Sequence, residues 1–343
     1  MTDFADRLIA WHRRDGRHDL PWQGTRDPYR VWLSEIMLQQ TQVDTVMPYY
    51  RRFLERFPDV ASLASAPTDD VLALWSGLGY YARARNLHKA AQMVMSCFGG
   101  AFPHAAAELE TLPGIGRSTA AAIACFCFDE RAAILDGNVK RVLCRHFGIE
   151  GFPGERKVEL ELWALAERLL PEKDIALYPQ AQMDLGATVC TRGKPSCLHC
   201  PVNDSCVARR DGRESELPTP RPRKAVPRRS CELLLLEVDG AVLLEQRPAT
   251  GIWGGLYSLP ELVEGESPEE GALRYLGLLL EGWQALAPVE HVFTHFRLAI
   301  QPWSLSIDTR PPQLGEGRLR WVEHSKLAEI GLPAPVRRLL EAR

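Results

Sequence analysis

The sequence has no apolar run approaching the ~20 residues that a membrane-spanning helix requires, and residues 1–6 show neither the basic start nor the apolar stretch of a signal peptide. These absences predict an unanchored, cytosolic protein. It also lacks a basic excess: its formal net charge is -3, so bulk electrostatics leave no footprint of a nucleic-acid partner and such a reading must rest on local features. Internal repeats and low-complexity tracts are missing. Strand-like alternation is nearly absent before residue 206. The nine cysteines are an odd number, and four crowd between Cys190 and Cys206, which does not suit a secreted disulfide framework and predicts a reducing compartment.

With 343 residues, 45% of them hydrophobic and 25% charged, the chain suits two globular domains. Up to about residue 206, apolar residues recur at helical spacing over 31–46, 82–97, 117–128, 139–147 and 155–170. Residues 214–229, ESELPTPRPRKAVPRR, place four prolines among basic residues and can neither continue a helix nor join a sheet interior. They predict a linker over 211–230, between a mainly α domain at 1–210 and a smaller α/β domain at 231–343. The charge follows this division: residues 207–231 hold eight Lys/Arg against three Asp/Glu, and residues 232–343 hold ten against sixteen. A closing helix is expected over 335–343.

Cys190, Cys197, Cys200 and Cys206 have the spacing C-x6-C-x2-C-x5-C after a helical segment. Four thiolates this close fit one metal centre. Zinc sites with four cysteines usually use two C-x2-C knuckles, whereas iron–sulfur clusters tolerate uneven spacing, so a cluster is favoured over zinc. Arg192 and Lys194 lie on the same loop within reach of a phosphate. Cys97, Cys125, Cys127 and Cys144 fall in apolar helical segments and are expected to be small buried hydrophobes.

Leu112 to Ala120 reads LPGIGRSTA, in which Gly114 and Gly116 flank an apolar residue. This allows a tight hairpin whose backbone N–H groups face outward at a helix start, ready for a phosphate oxygen, although an ordinary interhelical turn has the same signature. LDGNVKRV follows, with Asp136 at the start of another helix, where a plain N-cap is the simplest reading.

Hairpin, aspartate and cysteine loop in that order resemble the helix-hairpin-helix DNA glycosylase superfamily. The resemblance extends through LPW (Leu20 to Trp22), WLSEIMLQQTQV (Trp32 to Val43) and GLGYYARARNLHKAA (Gly77 to Ala91) to the MutY family of adenine glycosylases within it. It implies a [4Fe–4S] cluster on the four cysteines and, as partner, double-stranded DNA holding adenine opposite 8-oxoguanine or guanine. It also implies a monomer working in base excision repair, at the nucleoid if bacterial. Endonuclease III, a bifunctional relative, has a lysine where this chain has Ser118, and serine cannot form a Schiff base with the sugar. The implied enzyme is therefore monofunctional, with water as nucleophile.

Breaking the adenine glycosidic bond needs a proton delivered to the base and stabilisation of a cationic sugar, tasks that two carboxylates can divide. The resemblance assigns Glu35, set among apolar residues that disfavour its charge, as the general acid at N7, and Asp136 as the ionised partner positioned by Asn138. Without it, Glu35 reads as an outer-face residue. Reaching the base requires extruding the nucleotide. The resemblance places Gln40 and Tyr80 as wedges, and Trp22, Leu38 and Gln180 around the adenine. Arg83, Arg85, Gly114, Gly116, Ser118 and Lys140 are expected along the DNA, Lys140 also reading as a solvated side chain.

GIWGGLYSLP (Gly251 to Pro260) and HVFTHFRL (His291 to Leu298) resemble the MutT-like (Nudix-like) C-terminal domain of the same family, which implies that Phe293, Thr294 and His295 read the lesion. The family commonly has serine where Thr294 stands. The Glu-rich R-E-x-x-E-E helix of a MutT hydrolase is missing, so this domain is expected to bind without hydrolysing. A thymine or damaged-pyrimidine glycosylase and a non-catalytic iron–sulfur sensor are the competing readings; the second domain argues against the former, Glu35 and Asp136 against the latter.

Overall fold

The computed structural model describes residues 2–222, 226–293, 295–311 and 318–342. The chain divides into two compact units, residues 1–64 with 89–223, and residues 65–88 with 224–343. The helices before the linker are α1 (Thr2–Asp15), α2 (Pro28–Leu38), α3 (Val43–Arg56), α4 (Val60–Ser65), α5 (Thr68–Trp75), α6 (Ala82–Phe98), α7 (Ala106–Leu109), α8 (Arg117–Phe128), α9 (Gly137–Phe147), α10 (Arg156–Arg168), α11 (Leu177–Asp184) and α12 (Val207–Arg210). Among the described residues no helix is long and apolar enough to cross a membrane.

The single helix expected over 31–46 is two helices. Residues 39–42, QQTQ, have no apolar side chain to bury, so the packing that sustains α2 ends there and Gln40 turns to φ +60°. α3 then restarts on a stripe of Val46, Tyr50 and Phe53. α2 is fixed at its start by Asp27, whose side chain accepts from the Tyr29 N–H, with Pro28 just inside the helix. It packs against α8, whose Ala120, Ala121, Ala122 and Ala124 are buried. Cys125, Cys127 and Cys144 are buried as expected, but Cys97 is exposed: it sits on the outer side of the last turn of α6, where the apolar stripe has rotated away.

In the second unit the sheet comprises β1 (Arg228–Val238), β2 (Ala241–Gln246), β3 (Tyr257–Ser258), β4 (Gln284–Ala285), β5 (Val289–Val292), β6 (Arg297–Ser306) and β7 (Leu319–Glu323), with α13 (Pro268–Leu276) and α14 (Ala334–Glu341). β1 is central: it runs parallel to β6 and antiparallel to β2, and its four consecutive leucines, Leu233 to Leu236, are all buried because both faces are covered. The last three residues of the expected linker lie in β1, since Arg228, Arg229 and Ser230 pair with Arg297, Leu298 and Ala299; the prolines stop at Pro227, which frees the backbone donors beyond it. α13 opens with a capping box between Ser267 and Glu270. Residues 65–88 are held in this unit by Ser76 Oγ, which donates to the Leu332 carbonyl (3.1 Å), and by Arg85, which donates to the Gly254 carbonyl.

Candidate active site

Glu35 lies on α2 between the buried Ser34 and Ile36 and lines a cavity of about 890 Å³ in the first unit. Among the described residues nothing donates a hydrogen bond to its carboxylate. Burial, and after it the charge of Asp136, push its pKa up to about 7. The group therefore holds its proton near neutrality.

Asp136 lines the same cavity as the N-cap of α9. Its Oδ1 accepts from the Val139 N–H at 2.7 Å and its Oδ2 from Asn138 Nδ2 at 3.1 Å. Burial raises this carboxyl too, but these donors and the charge of Arg141 oppose it. Of two coupled acids, the one supplied with donors is the one that ionises first. Asn138 is held in turn by Arg141, whose Nη2 donates to Asn138 Oδ1 (2.8 Å) and to the Gly186 carbonyl (2.6 Å), while its Nε donates to the Cys190 carbonyl (2.8 Å).

Gly186 sits in a π-helical turn, Leu185–Val189, that continues α11. Such turns recur at functional sites. This one brings backbone so close to α9 that a Cβ on Gly186 would lie 2.5 Å from Asn138 Cβ and 3.0 Å from its Cα. Gly186→Ala is therefore expected to displace Asn138 and to slow single-turnover base release by about 100-fold, the effect of roughly 1 Å of misplacement. DNA affinity should change little. Single-turnover kinetics beside a binding titration would check this.

Trp22, Leu38 and Gln180 line the cavity with Glu35, as do Gln40 and Ser118. Trp22, Glu35 and Gln180 also line an adjoining cavity of about 400 Å³. Gln40 is exposed at the α2–α3 break. Ser118 Oγ accepts from the Leu135 N–H (2.9 Å), tying the start of α8 to the segment that carries Asp136. In the hairpin before α8, Leu112 and Ile115 are buried while Gly114 and Gly116 face out. Gly114 has φ +81°, and nothing lies within 4 Å of a Cβ placed on Gly116, so the backbone at the helix start is open to a ligand oxygen. Lys140 does not line the cavity; its Nζ pairs with Glu159 at 2.6 Å.

Cys190, Cys197, Cys200 and Cys206 share one loop and are all half-buried. Burial raises the thiols of Cys197, Cys200 and Cys206, and the neighbouring cysteines raise them further. Among the described residues no group of three or more His, Cys, Asp or Glu is drawn together closely enough for a single ion. The loop is held by the buried Arg145, which donates to the carbonyls of Leu217 (2.7 Å) and Thr191 (2.7 Å) and to Cys190 Sγ (3.4 Å). Arg145→Ala strands these acceptors and is expected to destabilise the first unit by about 3 kcal/mol, measurable by urea unfolding.

Tyr80, Arg83 and Arg85 belong to the second unit. Tyr80 is 46% exposed and has φ +50° between Gly79 and Tyr81. Arg83 is buried beneath that turn, its guanidinium over the Trp75 and Tyr80 rings and donating to the carbonyls of Leu78 (3.3 Å) and Gly79 (3.2 Å). A side chain so engaged shapes the Tyr80 turn, and Arg85 is likewise turned to the Gly254 carbonyl. Phe293 closes the β5–β6 hairpin through its N–H to the Phe296 carbonyl (2.9 Å) and packs with Trp253, His291 and Phe296. His295 is exposed beside it; Thr294 lies outside the described residues.

Sequence reasoning missed Arg17, Asp184, Arg141 and Arg145. The last two were detectable: Asn138, Arg141 and Arg145 fall three and seven residues apart on one face of α9. Arg17 and Asp184 are 167 residues apart and only the fold joins them.

A two-glycine hairpin, an aspartate-capped helix and a four-cysteine loop in this order define a base-excision DNA glycosylase. Residues 33–168 match the model of the HhH-GPD superfamily base excision DNA repair protein, and residues 232–342 that of the NUDIX domain. The chain is 35% identical to the adenine DNA glycosylase of Buchnera aphidicola subsp. Acyrthosiphon pisum, over 98% of this chain and 97% of that protein. It is also 35% identical to the Mus musculus adenine DNA glycosylase, over 99% of this chain and 77% of that protein. A solved thermostable thymine-DNA glycosylase superposes with a TM-score of 0.56 at 30% identity, covering 61% of this chain and 95% of that one. The chain belongs to the adenine DNA glycosylase family, hydrolases that remove a base in base excision repair.

Proposed function

We propose that this enzyme removes adenine paired with 8-oxoguanine, and with guanine, from double-stranded DNA, leaving an abasic site without cutting the strand. The observation that carries the reading is the pairing in one cavity of Glu35, proton-bearing near neutrality and without hydrogen-bond donors, with Asp136, held by two. Glu35 delivers its proton to N7 of the extruded base as the bond to the sugar breaks, so the base departs neutral. Asp136 faces the positive charge that develops on the sugar, and Asn138 fixes its direction. Water then completes hydrolysis. Ser118 and the absence of lysine among the described residues lining the cavity favour water over an amine nucleophile.

The four cysteines, with their uneven spacing on one loop, suit a [4Fe–4S] cluster, and Arg145 offsets the charge beside Cys190. Bound there, a cluster would cross-link the loop. Phe293, Thr294 and His295, with Tyr80, are proposed to read the 8-oxoguanine, and the enzyme is proposed to act as a cytosolic monomer, at the nucleoid if bacterial.

The test is release of free base by the full chain from duplexes holding A:8-oxoG, A:G, C:8-oxoG, G:T or thymine glycol. Adenine release from the first two alone is expected, fastest from A:8-oxoG. Release from G:T or thymine glycol in preference would overturn the reading, as would strand cleavage at the rate of base loss.

A further inference from the structure

The first unit buries a third carboxylate that the chemistry above does not use. Asp184, the last residue of α11, has no exposed surface. Its Oδ1 accepts from Arg17 Nε (2.9 Å), Arg17 Nη2 (2.6 Å) and Gln180 Nε2 (3.0 Å). Its Oδ2 accepts from the Arg17 backbone N–H (2.9 Å), and His12 Nε2 lies 3.2 Å from it. Burial alone would raise this carboxyl, but His12 and Arg17 outweigh it and hold the group below its ordinary value.

Anchoring the segment after α1 to α11 accounts for the bonds to Arg17. It does not require the bond to Gln180, which stands one turn earlier on the same helix and lines both cavities with Glu35 and Trp22. A carboxamide can turn over and offer either its NH₂ or its oxygen. An ionised carboxylate only accepts, so Asp184 takes the NH₂ end of Gln180 and leaves Oε1 for the cavity. Among the described residues nothing donates to Oε1.

We propose that Asp184 is a specificity-determining positioning residue, which locks Gln180 with its carbonyl toward the extruded base. A fixed acceptor there suits adenine, whose N6 amine is a donor beside the N7 acceptor that faces Glu35. It opposes a base such as hypoxanthine or guanine, which presents a carbonyl at the same place and sets lone pair against lone pair. Arg17 and His12 serve by keeping Asp184 ionised. The inference rests on the reading of Glu35 and Gln180 as facing adenine.

The test uses the full chain in single-turnover release of adenine and of hypoxanthine, each placed opposite 8-oxoguanine. Asp184→Asn, which can offer either hydrogen-bonding end to Gln180, is expected to lower the adenine-to-hypoxanthine rate ratio by about 10- to 100-fold, the effect of one buried mismatched polar pair. In a Gln180→Ala background the same substitution should leave the ratio unchanged. An unaltered ratio in Asp184→Asn, or effects that multiply in the double variant, would overturn the proposal; wild-type protein that releases no adenine would instead sink the functional reading beneath it. Because Asp184 is buried and its variant can fail to fold, the unsubstituted protein supplies a second measurement. In ¹⁵N NMR the Gln180 carboxamide protons, assigned by their loss in Gln180→Ala, should exchange slowly with solvent. Exchange at the rate of a free amide would overturn the proposal.

Discussion

Replacing Glu35 with glutamine is expected to slow adenine release by about 10²- to 10⁴-fold in single turnover, the range that a positioned general acid supplies. Glutamine keeps the shape of the side chain and cannot deliver a proton, so binding of lesion DNA should survive. The wild-type rate should fall tenfold per unit above about pH 7, because the working form of Glu35 is the protonated one, and should fall again at low pH as Asp136 takes up a proton. The alkaline inflection should be absent from Glu35→Gln. Retention of wild-type rates by the variant would remove Glu35 from the chemistry.

The same raised pKa has a consequence for stability. A carboxyl whose pKa is higher in the folded than in the unfolded chain contributes fully below its unfolded value, and that contribution is lost as pH rises through the folded value of about 7. Wild-type protein should lose stability from this source between the ordinary glutamate range and pH 7. Glu35→Gln has no charge to desolvate, so its melting temperature should rise relative to wild type between pH 5 and pH 8. Active sites commonly sacrifice stability in this way.

The order of hairpin, aspartate and cysteine loop could be read from the sequence because each is a local pattern: two glycines around one apolar residue, an aspartate before a helical stripe, four thiols on one loop. The α2–α3 break could not, since QQTQ carries helix-tolerant residues and ends the helix only through what it fails to bury. The π turn at Leu185–Val189 was equally hidden, because Gly186 shows its purpose only against Asn138, 48 positions earlier in the chain. The packing of Arg83 was hidden for the opposite reason. This residue belongs to a run of basic residues that looks solvated, yet its charge is spent on the carbonyls of the Tyr80 turn. Charges engaged with backbone across a turn leave no periodicity to detect.

Asp136→Asn should damage activity as severely as Glu35→Gln while leaving the fold intact. Asparagine is as good an N-cap as aspartate, so its carbonyl can still accept from Val139 N–H and α9 should hold. What fails is the other oxygen. Asn138 must turn its carbonyl to Arg141, a pure donor, which leaves its NH₂ directed at position 136. An amide at 136 either sets NH₂ against NH₂ there or gives up the cap. Nor can it present an anion to the sugar cation. A unit charge about 4 Å from a developing cation contributes about 4 kcal/mol at an effective dielectric of about 20, so a loss of about a thousandfold or more is expected. Since the Asp136 charge helps to raise Glu35, the alkaline inflection of any residual activity should also move to lower pH. Asp136→Ala separates the two roles: it should be equally inactive but lose about 1 kcal/mol of stability with the cap. Single-turnover rates against pH, with urea unfolding of both variants, would check this. An Asp136→Asn enzyme within tenfold of wild type would mean that the sugar cation is stabilised elsewhere.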